Sequence, residues 1–223
     1  MPVSVSKNKF INQMKKVFAL MTLAAALLFA SNAQAQLGVN IGYAPMTIAV
    51  DNNGNVSNTD YPGFFGGVNY NVNLTGDLNL SLGGQVRFIT KTETSSFYGL
   101  ASTKNTTTLI NLEVPVLLNY GLNLSRELKV SVFAGAVFGY GLSGQTKFEG
   151  NVVGIGGNST VDWYDANGIV NYKRLNISGA FGAVFTYNQF RLFGGYDLGL
   201  TDIDNANTVT KTNGIFVGIG VIL

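Results

Sequence analysis

Residues 128–142 read LKVSVFAGAVFGYGL, and every second residue of this stretch, from Leu128 to Leu142, is apolar. The residues between them are mostly small or polar, with Lys129, Ser131 and three glycines among them. Because successive side chains of a β-strand point to opposite faces, this alternation predicts a strand with one apolar face and one small or polar face. The same pattern recurs through the rest of the chain, so it describes the fold as a whole.

An export signal precedes the alternating segments. Residues 14–16 (MKK) supply a positive start, residues 17–30 form an apolar run, and residues 33–35 (AQA) form a small-residue cleavage site. The apolar run is too short to cross a bilayer comfortably as a helix, and the cleavage site follows at once. We therefore predict a cleaved signal peptide rather than an uncleaved membrane anchor.

The domain organisation follows from this signal. We predict that residues 1–35 are an N-terminal extension and signal peptide, in which residues 1–13 precede a more natural start at Met14. Residues 36–223 are then enough for one domain. No stretch of this domain is apolar for the roughly 18 residues that a membrane-spanning helix needs, so a helical span is excluded.

The residue types that are missing exclude several functions. The chain contains no His, which excludes catalysis by a His general base and His metal ligands. It contains no Cys, which excludes disulfides, thiolate metal sites and a lipoprotein anchor. After the leader, ten basic residues stand against twelve acidic ones, so the charge gives no reason to expect a nucleic-acid partner. We predict a protein that is not an enzyme and that has no cofactor and no metal site.

Eight segments, residues 128–142 among them, show this alternation of apolar and polar residues. They cover residues 37–43, 64–72, 78–88, 110–120, 128–142, 175–187, 190–200 and 215–223. None of their apolar-face positions is charged, as lipid contact requires, since a Lys or Arg at mid-bilayer costs about 2–4 kcal/mol. The other face is mainly Gly, Ser and Asn, which fits a crowded barrel interior better than the solvated face of a soluble β-sandwich or lipocalin-like barrel. We predict an all-β fold, an eight-stranded antiparallel up-and-down transmembrane β-barrel.

The connections between the segments alternate in length. The long and polar ones are residues 45–62, 90–107, 143–171 and 202–213, and the short ones are residues 73–77, 121–127 and 188–189. In outer-membrane barrels short turns face the periplasm and long loops face outside. We therefore expect four mobile extracellular loops, with both ends of the domain in the periplasm.

Five charged residues on the inward face form the first candidate site. Arg87, Glu113 and Asp197 are expected near mid-height of the barrel, and Lys129 and Arg191 near its periplasmic end. Because an isolated buried charge is costly, these groups should pair. We predict that they form a lumen charge network. It is either a structural plug, since eight strands enclose room only for side chains, or a gate that rearranges to pass small ions.

The longest connection supplies the second candidate site. Trp163 and Tyr164 lie between Asp162 and Asp165 within residues 143–171. Exposed aromatic side chains on a loop can anchor a ligand, so these four residues are loop binding candidates. The alternative is that the two rings pack onto the rim of the barrel.

One irregularity is expected in the wall. Pro115 lies inside the fourth segment, and proline cannot donate a hydrogen bond to the ladder between strands. A closed barrel has no edge on which to place such a residue, so we predict a bulge or bend here.

Three stretches carry a resemblance to a known family. Residues 109–120 read LINLEVPVLLNY, residues 133–140 read FAGAVFGY, and residues 194–203 read GGYDLGLTDI. They resemble the central and penultimate strands of the PorT-like outer-membrane β-barrel family, and the architecture is similar to that of small OmpX/OmpA-type barrels. The resemblance implies a closed barrel inserted by the outer-membrane assembly machinery. It also implies a link to protein secretion, as for PorT itself, and it supplies no catalytic residues.

Three functions stay open for a protein of the cell outer membrane. The first is a structural or surface-interaction role through the four extracellular loops. The second is a narrow passive pore for ions or small solutes, and the third is an accessory role in outer-membrane protein secretion. The expected partners are outer-membrane lipid and lipopolysaccharide, the assembly machinery during insertion, and a secretion component or extracellular ligand. Lys173, at the predicted extracellular rim, is placed to meet lipopolysaccharide phosphates or to snorkel toward water.

Overall fold

The computed structural model describes residues 36–52, 54–97, 101–152, 155–165, 168, 170–205 and 209–223. The predicted extension and signal peptide, residues 1–35, lie outside the described residues. The described part of the chain is built of β-strands joined by turns. No helix in it is long and apolar enough to cross a membrane.

Eleven strands are found in the described ranges, and all their pairings are antiparallel. They are β1 (Gln36–Tyr43), β2 (Met46–Asn52), β3 (Asn55–Tyr61), β4 (Gly63–Thr75), β5 (Leu78–Phe97), β6 (Ala101–Asn123), β7 (Leu128–Val152), β8 (Ile155–Asp162), β9 (Leu175–Tyr187), β10 (Phe190–Gly199) and β11 (Val209–Ile222). Eight of them pair side by side in the order β1, β4, β5, β6, β7, β9, β10, β11. β11 pairs in turn with β1, from Gly38 opposite Ile222 to Tyr43 opposite Val217. The sheet therefore closes into a ring, which confirms the predicted eight-stranded antiparallel barrel.

The wall of the ring shows the alternation of exposed and buried side chains that the sequence of residues 128–142 predicts. On β7, Val132 is 57% exposed, whereas Phe133 is 6% and Val137 is 7% exposed. The other seven strands also expose large apolar side chains at their outward positions, for example Phe181 on β9 and Ile219 on β11. Soluble proteins rarely expose a continuous apolar surface of this size. The exterior therefore requires lipid, and the soluble alternatives are excluded.

Three short turns close one end of the ring, which we call the short-turn end. They are formed by residues 76–77, 124–127 and 188–189, inside the three short connections predicted from the sequence. Gly76 and Asn188 both have a φ of about +52°, a left-handed conformation that Gly and Asn adopt at least cost. The local sequence thus explains why the chain reverses at these points.

The opposite end, the long-hairpin end, carries two projecting sheets. Residues 90–97, 101–109, 143–152 and 155–162 form the four-strand extension, and residues 46–52, 55–61 and 209–213 form the three-strand extension. The sequence predicted loops in these regions, and the structure instead has strands over most of their length. Thr is frequent here and is enriched in strands, where it pairs across the ladder, as Thr92 and Thr106 do with their hydroxyl oxygens 3.3 Å apart.

A bulge or a bend was predicted at Pro115, and the structure shows that no bulge lies there. Pairing between β5 and β6 is interrupted beside Pro115, but the register is the same on both sides of the gap. Opposite it lies Gly83, where an added Cβ would be 2.7 Å from the proline ring, so the missing side chain makes the space that the ring occupies. The bulge of this region lies on β7, where Leu142 is the extra residue between the partners of Ile110 and Asn111.

Candidate functional site

Three of the five predicted lumen charges meet in the barrel interior and form what we call the lumen triad. The Nε atom of Arg87 is 3.0 Å from Oε1 of Glu113, and its Nη2 donates to Oδ2 of Asp197 at 2.6 Å. The contact through Nε is an ion pair without good hydrogen-bond alignment. Gln85 donates to the other oxygen of Glu113 at 2.6 Å. All three charged side chains are at most 10% exposed, so the triad is shielded from bulk water.

The triad joins opposite walls of the barrel. Arg87 lies on β5 and Asp197 on β10, and these two strands are four places apart in the ring of eight. A side chain that reaches across a lumen of this width also fills it. Alternation of the strands was enough to predict that Arg87, Glu113 and Asp197 share the interior, and the ring order explains why they meet.

The other two predicted lumen charges stay apart from the triad. The Nη1 atom of Arg191 donates to Oδ1 of Asn69 at 3.2 Å. Among the described residues, no ion pair joins Arg191 or Lys129 to a carboxylate. Both line a cavity of about 310 Å³ at the short-turn end. The five charges therefore divide into a paired group of three and two cations with no acidic partner in the described part of the chain.

An aromatic layer, which the sequence reasoning missed, packs inside the ring. The rings of Phe133 and Phe216 stack at 6.0 Å between centroids, and those of Phe65 and Phe193 lie 6.0 Å apart. Phe133 and Phe216 lie against Gly195, where an added Cβ would be 3.0 and 2.8 Å from them. All four rings have inward parity on their strands. That parity was the signal that could have revealed the layer.

A second apolar layer closes the long-hairpin end. Met46 and Ile48 of β2 pack there with Ile89 of β5, Leu109 of β6 and Trp163, and each of them is at most 8% exposed. The β2–β3 hairpin thus folds over the mouth of the barrel rather than standing free. We call this cluster the mouth plug.

Trp163 is at the centre of the mouth plug, so the structure corrects the expectation that it is an exposed binding anchor. It is 8% exposed, and its indole N–H donates to the hydroxyl of Thr146 at 2.8 Å. Thr146 in turn shares a hydrogen bond of 2.9 Å with Thr107. The Trp163 ring also makes edge contacts with Tyr61 and Tyr172, at 6.1 and 5.3 Å between centroids. The alternative of packing at the rim is the one that the structure shows.

Of the other three loop candidates, Tyr164 is packed against the barrel and the two carboxylates are exposed. Tyr164 packs where a side chain at Gly141 would be, and the guanidinium of Arg174 lies 4.5 Å from the centre of its ring. Asp162 and Asp165 are exposed, and Oδ1 of Asp162 accepts a hydrogen bond from the backbone N–H of Tyr164 at 2.8 Å. Of the four loop candidates, only the two carboxylates face the solvent.

Beyond the cavity at the short-turn end, the interior leaves little free space. The cavity beside Arg87 and the aromatic layer has a volume of about 80 Å³, and the cavity beneath the mouth plug about 50 Å³. Such volumes hold a few water molecules each. Within the described residues, the triad and the aromatic layer therefore lie around the same small cavity inside the barrel, and the mouth plug closes its long-hairpin end.

The four-strand extension ends in an open strand edge. Among the described strands, β8 pairs only with β7. The N–H of Trp163 donates to the carbonyl of Gly144 at 2.9 Å, which fixes the phase of the ladder. The N–H and C=O groups of Asn158 and Thr160 consequently point away from β7. Residues 155–162 contain no Lys, Arg or Pro, the residues that commonly protect such edges.

A closed ring of eight antiparallel strands with an apolar exterior and a packed interior defines an outer-membrane β-barrel. The chain belongs to the family described as outer membrane protein beta-barrel domain, whose model matches residues 29–205. It is a transmembrane barrel of the Gram-negative outer membrane, as the sequence predicted. In this class of protein short turns face the periplasm, so the short-turn end is periplasmic and the long-hairpin end extracellular.

Several solved structures are similar to this chain. Ail, the attachment invasion locus protein of Yersinia pestis, crystallised with the heparin analogue sucrose octasulfate, is 14% identical, with a TM-score of 0.44 over 85% of this chain and 99% of that one. Neisserial surface protein A is 10% identical, with a TM-score of 0.37 over 82% and 96%. The outer membrane protease OmpT of Escherichia coli is 11% identical, with a TM-score of 0.37 over 84% and 97%. A search of curated proteins finds no match.

Asp202 ties the end of β10 to the start of β11 on the extracellular side. Its Oδ1 accepts hydrogen bonds from the N–H groups of Thr210, at 2.8 Å, and Asp204, at 3.0 Å. Partial burial alone would raise the pKa of Asp202, but these two donors and the nearby cation of Lys173 outweigh it and lower the pKa. A carboxylate with a lowered folded-state pKa contributes stability that is present at neutral pH and lost as the pH falls through that pKa.

We expect the chemical shift of the Thr210 amide proton to change as Asp202, its acceptor, becomes protonated. The midpoint of this change should lie below the pKa of about 3.9 for an unfolded Asp. NMR chemical shifts of the detergent-folded barrel measure this. The control is Asp202→Asn, in which the Thr210 amide should show no such titration. A titration midpoint at or above the pKa of an unfolded Asp would contradict the proposed stabilisation of the Asp202 carboxylate by these hydrogen bonds.

Proposed function

We propose that this barrel is a surface-interaction protein, which offers the open edge of its four-strand extension to an extracellular partner. The observation that carries this proposal is the unprotected β8 edge, where the outward N–H and C=O groups of Asn158 and Thr160 have no strand partner among the described residues. An extended segment of another protein can add to such an edge as a further strand, with backbone hydrogen bonds supplying affinity. β7, the strand with which β8 pairs, continues directly from the barrel wall, so the edge is attached to the barrel by a continuous strand.

The packed interior argues against the passive-pore alternative. A conducting path would need the lumen triad and the aromatic layer to move aside and the mouth plug to open as well, because all three fill the interior. We propose that Arg87, Glu113 and Asp197 act as a structural strut rather than as a gate. A buried Arg between two carboxylates resists separation, since each exposed charge would lose its partner in a space with little water.

The remaining partners belong to the same proposal. We infer that the barrel contacts outer-membrane lipid and lipopolysaccharide through its apolar wall and extracellular rim, where Lys173 is exposed. The finer placement among PorT-like barrels rests on residues 109–120 and 194–203, and an accessory role in secretion would follow from that placement. Insertion by the outer-membrane assembly machinery is the expected route for a closed barrel of this kind. The absence of His supports the prediction that the protein is not an enzyme.

Replacing Asn158 by proline tests the open edge. The substitution removes an N–H that points away from β7, so the β7–β8 ladder stays intact, as proline is tolerated on the free side of an edge strand. We expect cells that display the wild-type barrel to adhere to protein-coated surfaces or to one another more than cells carrying an empty vector. We expect Asn158→Pro to return adhesion to that background.

The matched control is Asn158→Ala, which keeps the backbone N–H and should adhere like the wild type. Mobility on gels before and after boiling shows whether each variant is folded. Equal adhesion of the proline and alanine variants would refute the edge as the binding element. Steady ion conductance of the wild type in planar bilayers would favour the pore instead.

A further inference from the structure

The periplasmic mouth of the barrel holds an open cavity of about 310 Å³, which we call the periplasmic vestibule. Its charged lining residues are Arg126, Glu127, Lys129 and Arg191, three cations against one acid. The carboxylate of Glu127 accepts a hydrogen bond from the hydroxyl of Tyr187 at 3.2 Å. The rest of the polar lining is largely side-chain amides, among them Gln36, Asn71, Asn79, Asn119 and Asn123. The vestibule is therefore a cationic chamber lined with hydrogen-bond donors.

Arg191 is the innermost cation of the vestibule. It borders both the vestibule and the small cavity next to the aromatic layer. Its Nη1 donates to Oδ1 of Asn69 at 3.2 Å, but that oxygen also accepts from Asn40 at 2.6 Å. A guanidinium has five N–H donors, and among the described residues no carboxylate pairs with this one. A partly buried cation without a counter-charge is costly unless a ligand supplies one.

Lys129 is placed in the vestibule by a neighbouring glycine. Gly121 on β6 pairs with Ser131 on β7, two residues from Lys129, and a Cβ at position 121 would overlap the Cε atom of Lys129. The same Cβ would be 2.6 Å from the hydroxyl oxygen of Ser131. The missing side chain therefore lets the lysine lie along the inner wall, where it lines the same chamber as Arg191.

We propose that the periplasmic vestibule binds an oxyanion, a carboxylate or a phosphate, between Arg191 and Lys129. Both cations are hydrogen-bond donors suited to oxyanions, and Arg can bind one through two parallel hydrogen bonds. The aromatic layer blocks the lumen beyond Arg191, so the anion enters from the periplasm. The volume is near the lower limit of ligand sites, which suits a small oxyanion or the anionic end of a longer molecule. This site is independent of the extracellular edge.

Titration of the folded barrel in detergent tests the proposal. The ligands are inorganic phosphate, triglycine with a free C-terminal carboxylate, and triglycine with an amidated C-terminus, all at constant ionic strength. Binding is followed by NMR shifts and by calorimetry. We expect saturable binding of phosphate or of free triglycine, with shifts confined to residues around the vestibule, and no binding of the amidated peptide. The two anions distinguish a phosphate source from a carboxylate source.

Variants locate the site. We expect Arg191→Gln to weaken binding by about tenfold or more, as losing a charge-assisted hydrogen bond would do. Lys129→Gln is the second variant and should also weaken binding, which keeps the test decisive where Arg191→Gln fails to fold. The matched control is Arg174→Gln, at the opposite end of the barrel, which should bind like the wild type. Absence of saturable binding at millimolar ligand, or equal binding by all variants, would overturn the proposal.

Discussion

Replacing Arg87 by methionine is expected to lower the free energy of unfolding by about 3–5 kcal/mol. The substitution keeps an apolar chain of similar reach but leaves the carboxylates of Glu113 and Asp197 buried without their counter-charge. Both carboxylates are in the barrel interior, where desolvation of an unpaired charge is not repaid. Urea unfolding of the detergent- or liposome-folded barrel measures the change.

The control for this experiment removes the charges together. The triple variant Arg87→Met, Glu113→Gln, Asp197→Asn should recover most of the lost stability, because no unpaired charge is left in the lumen. Each single carboxylate replacement should cost less than Arg87→Met, since one ion pair of the triad survives. If the triple variant is no more stable than Arg87→Met, the loss comes from packing and the strut is not electrostatic.

Replacing Trp163 by alanine is expected to cost about 3–5 kcal/mol as well, through a different cause. The indole fills the centre of the mouth plug and packs against Met46, Ile48 and Leu109. Its removal leaves a cavity and frees the β2–β3 hairpin from the mouth of the barrel. Urea unfolding reports the loss of stability, and limited proteolysis within residues 46–61 reports release of the hairpin.

A conservative variant separates packing from hydrogen bonding at this residue. Trp163→Phe keeps a ring in the plug but loses the indole N–H that Thr146 accepts at 2.8 Å. It should cost only about 0.5–1.5 kcal/mol beyond the difference in ring size.

The Trp163→Ala variant should still not conduct ions, because the lumen triad and aromatic layer stay in place. If residues 46–61 are cleaved no faster in Trp163→Ala than in the wild type, the mouth plug does not hold the hairpin.

The wall of the barrel could be predicted from the sequence because one face of each strand meets lipid. That environment forces strict alternation, as between exposed Val132 and buried Phe133. The same parity placed Arg87, Glu113 and Asp197 in the interior. Their pairing follows from the ring order and from the cost of unpaired buried charge, both of which sequence reasoning could anticipate.

The four-strand extension was harder to predict because its strands have polar residues on both faces. The four-strand extension has no alternation to detect, and only its Thr content pointed to strands. Trp163 was misplaced for a related reason. Its contacts with Met46 and Leu109 join segments far apart in sequence, and no local pattern indicates that a loop folds back into the mouth. Likewise, Lys129 and Arg191 were assigned to a network because parity gives the face of a residue but not its partners.

Strand β11 has a consequence for the order of folding. It pairs with β10 through residues 213–221, with β1 through residues 217–222 and with β2 through residues 209–213. Closure of the barrel and docking of the β2–β3 hairpin therefore both wait for the last segment of the chain. These contacts span almost the whole domain, so their loop-closure entropy is high and they should form late. A chain that ends before residue 209 would leave β10 and β1 each with one unpaired edge in a medium that offers no water to satisfy it.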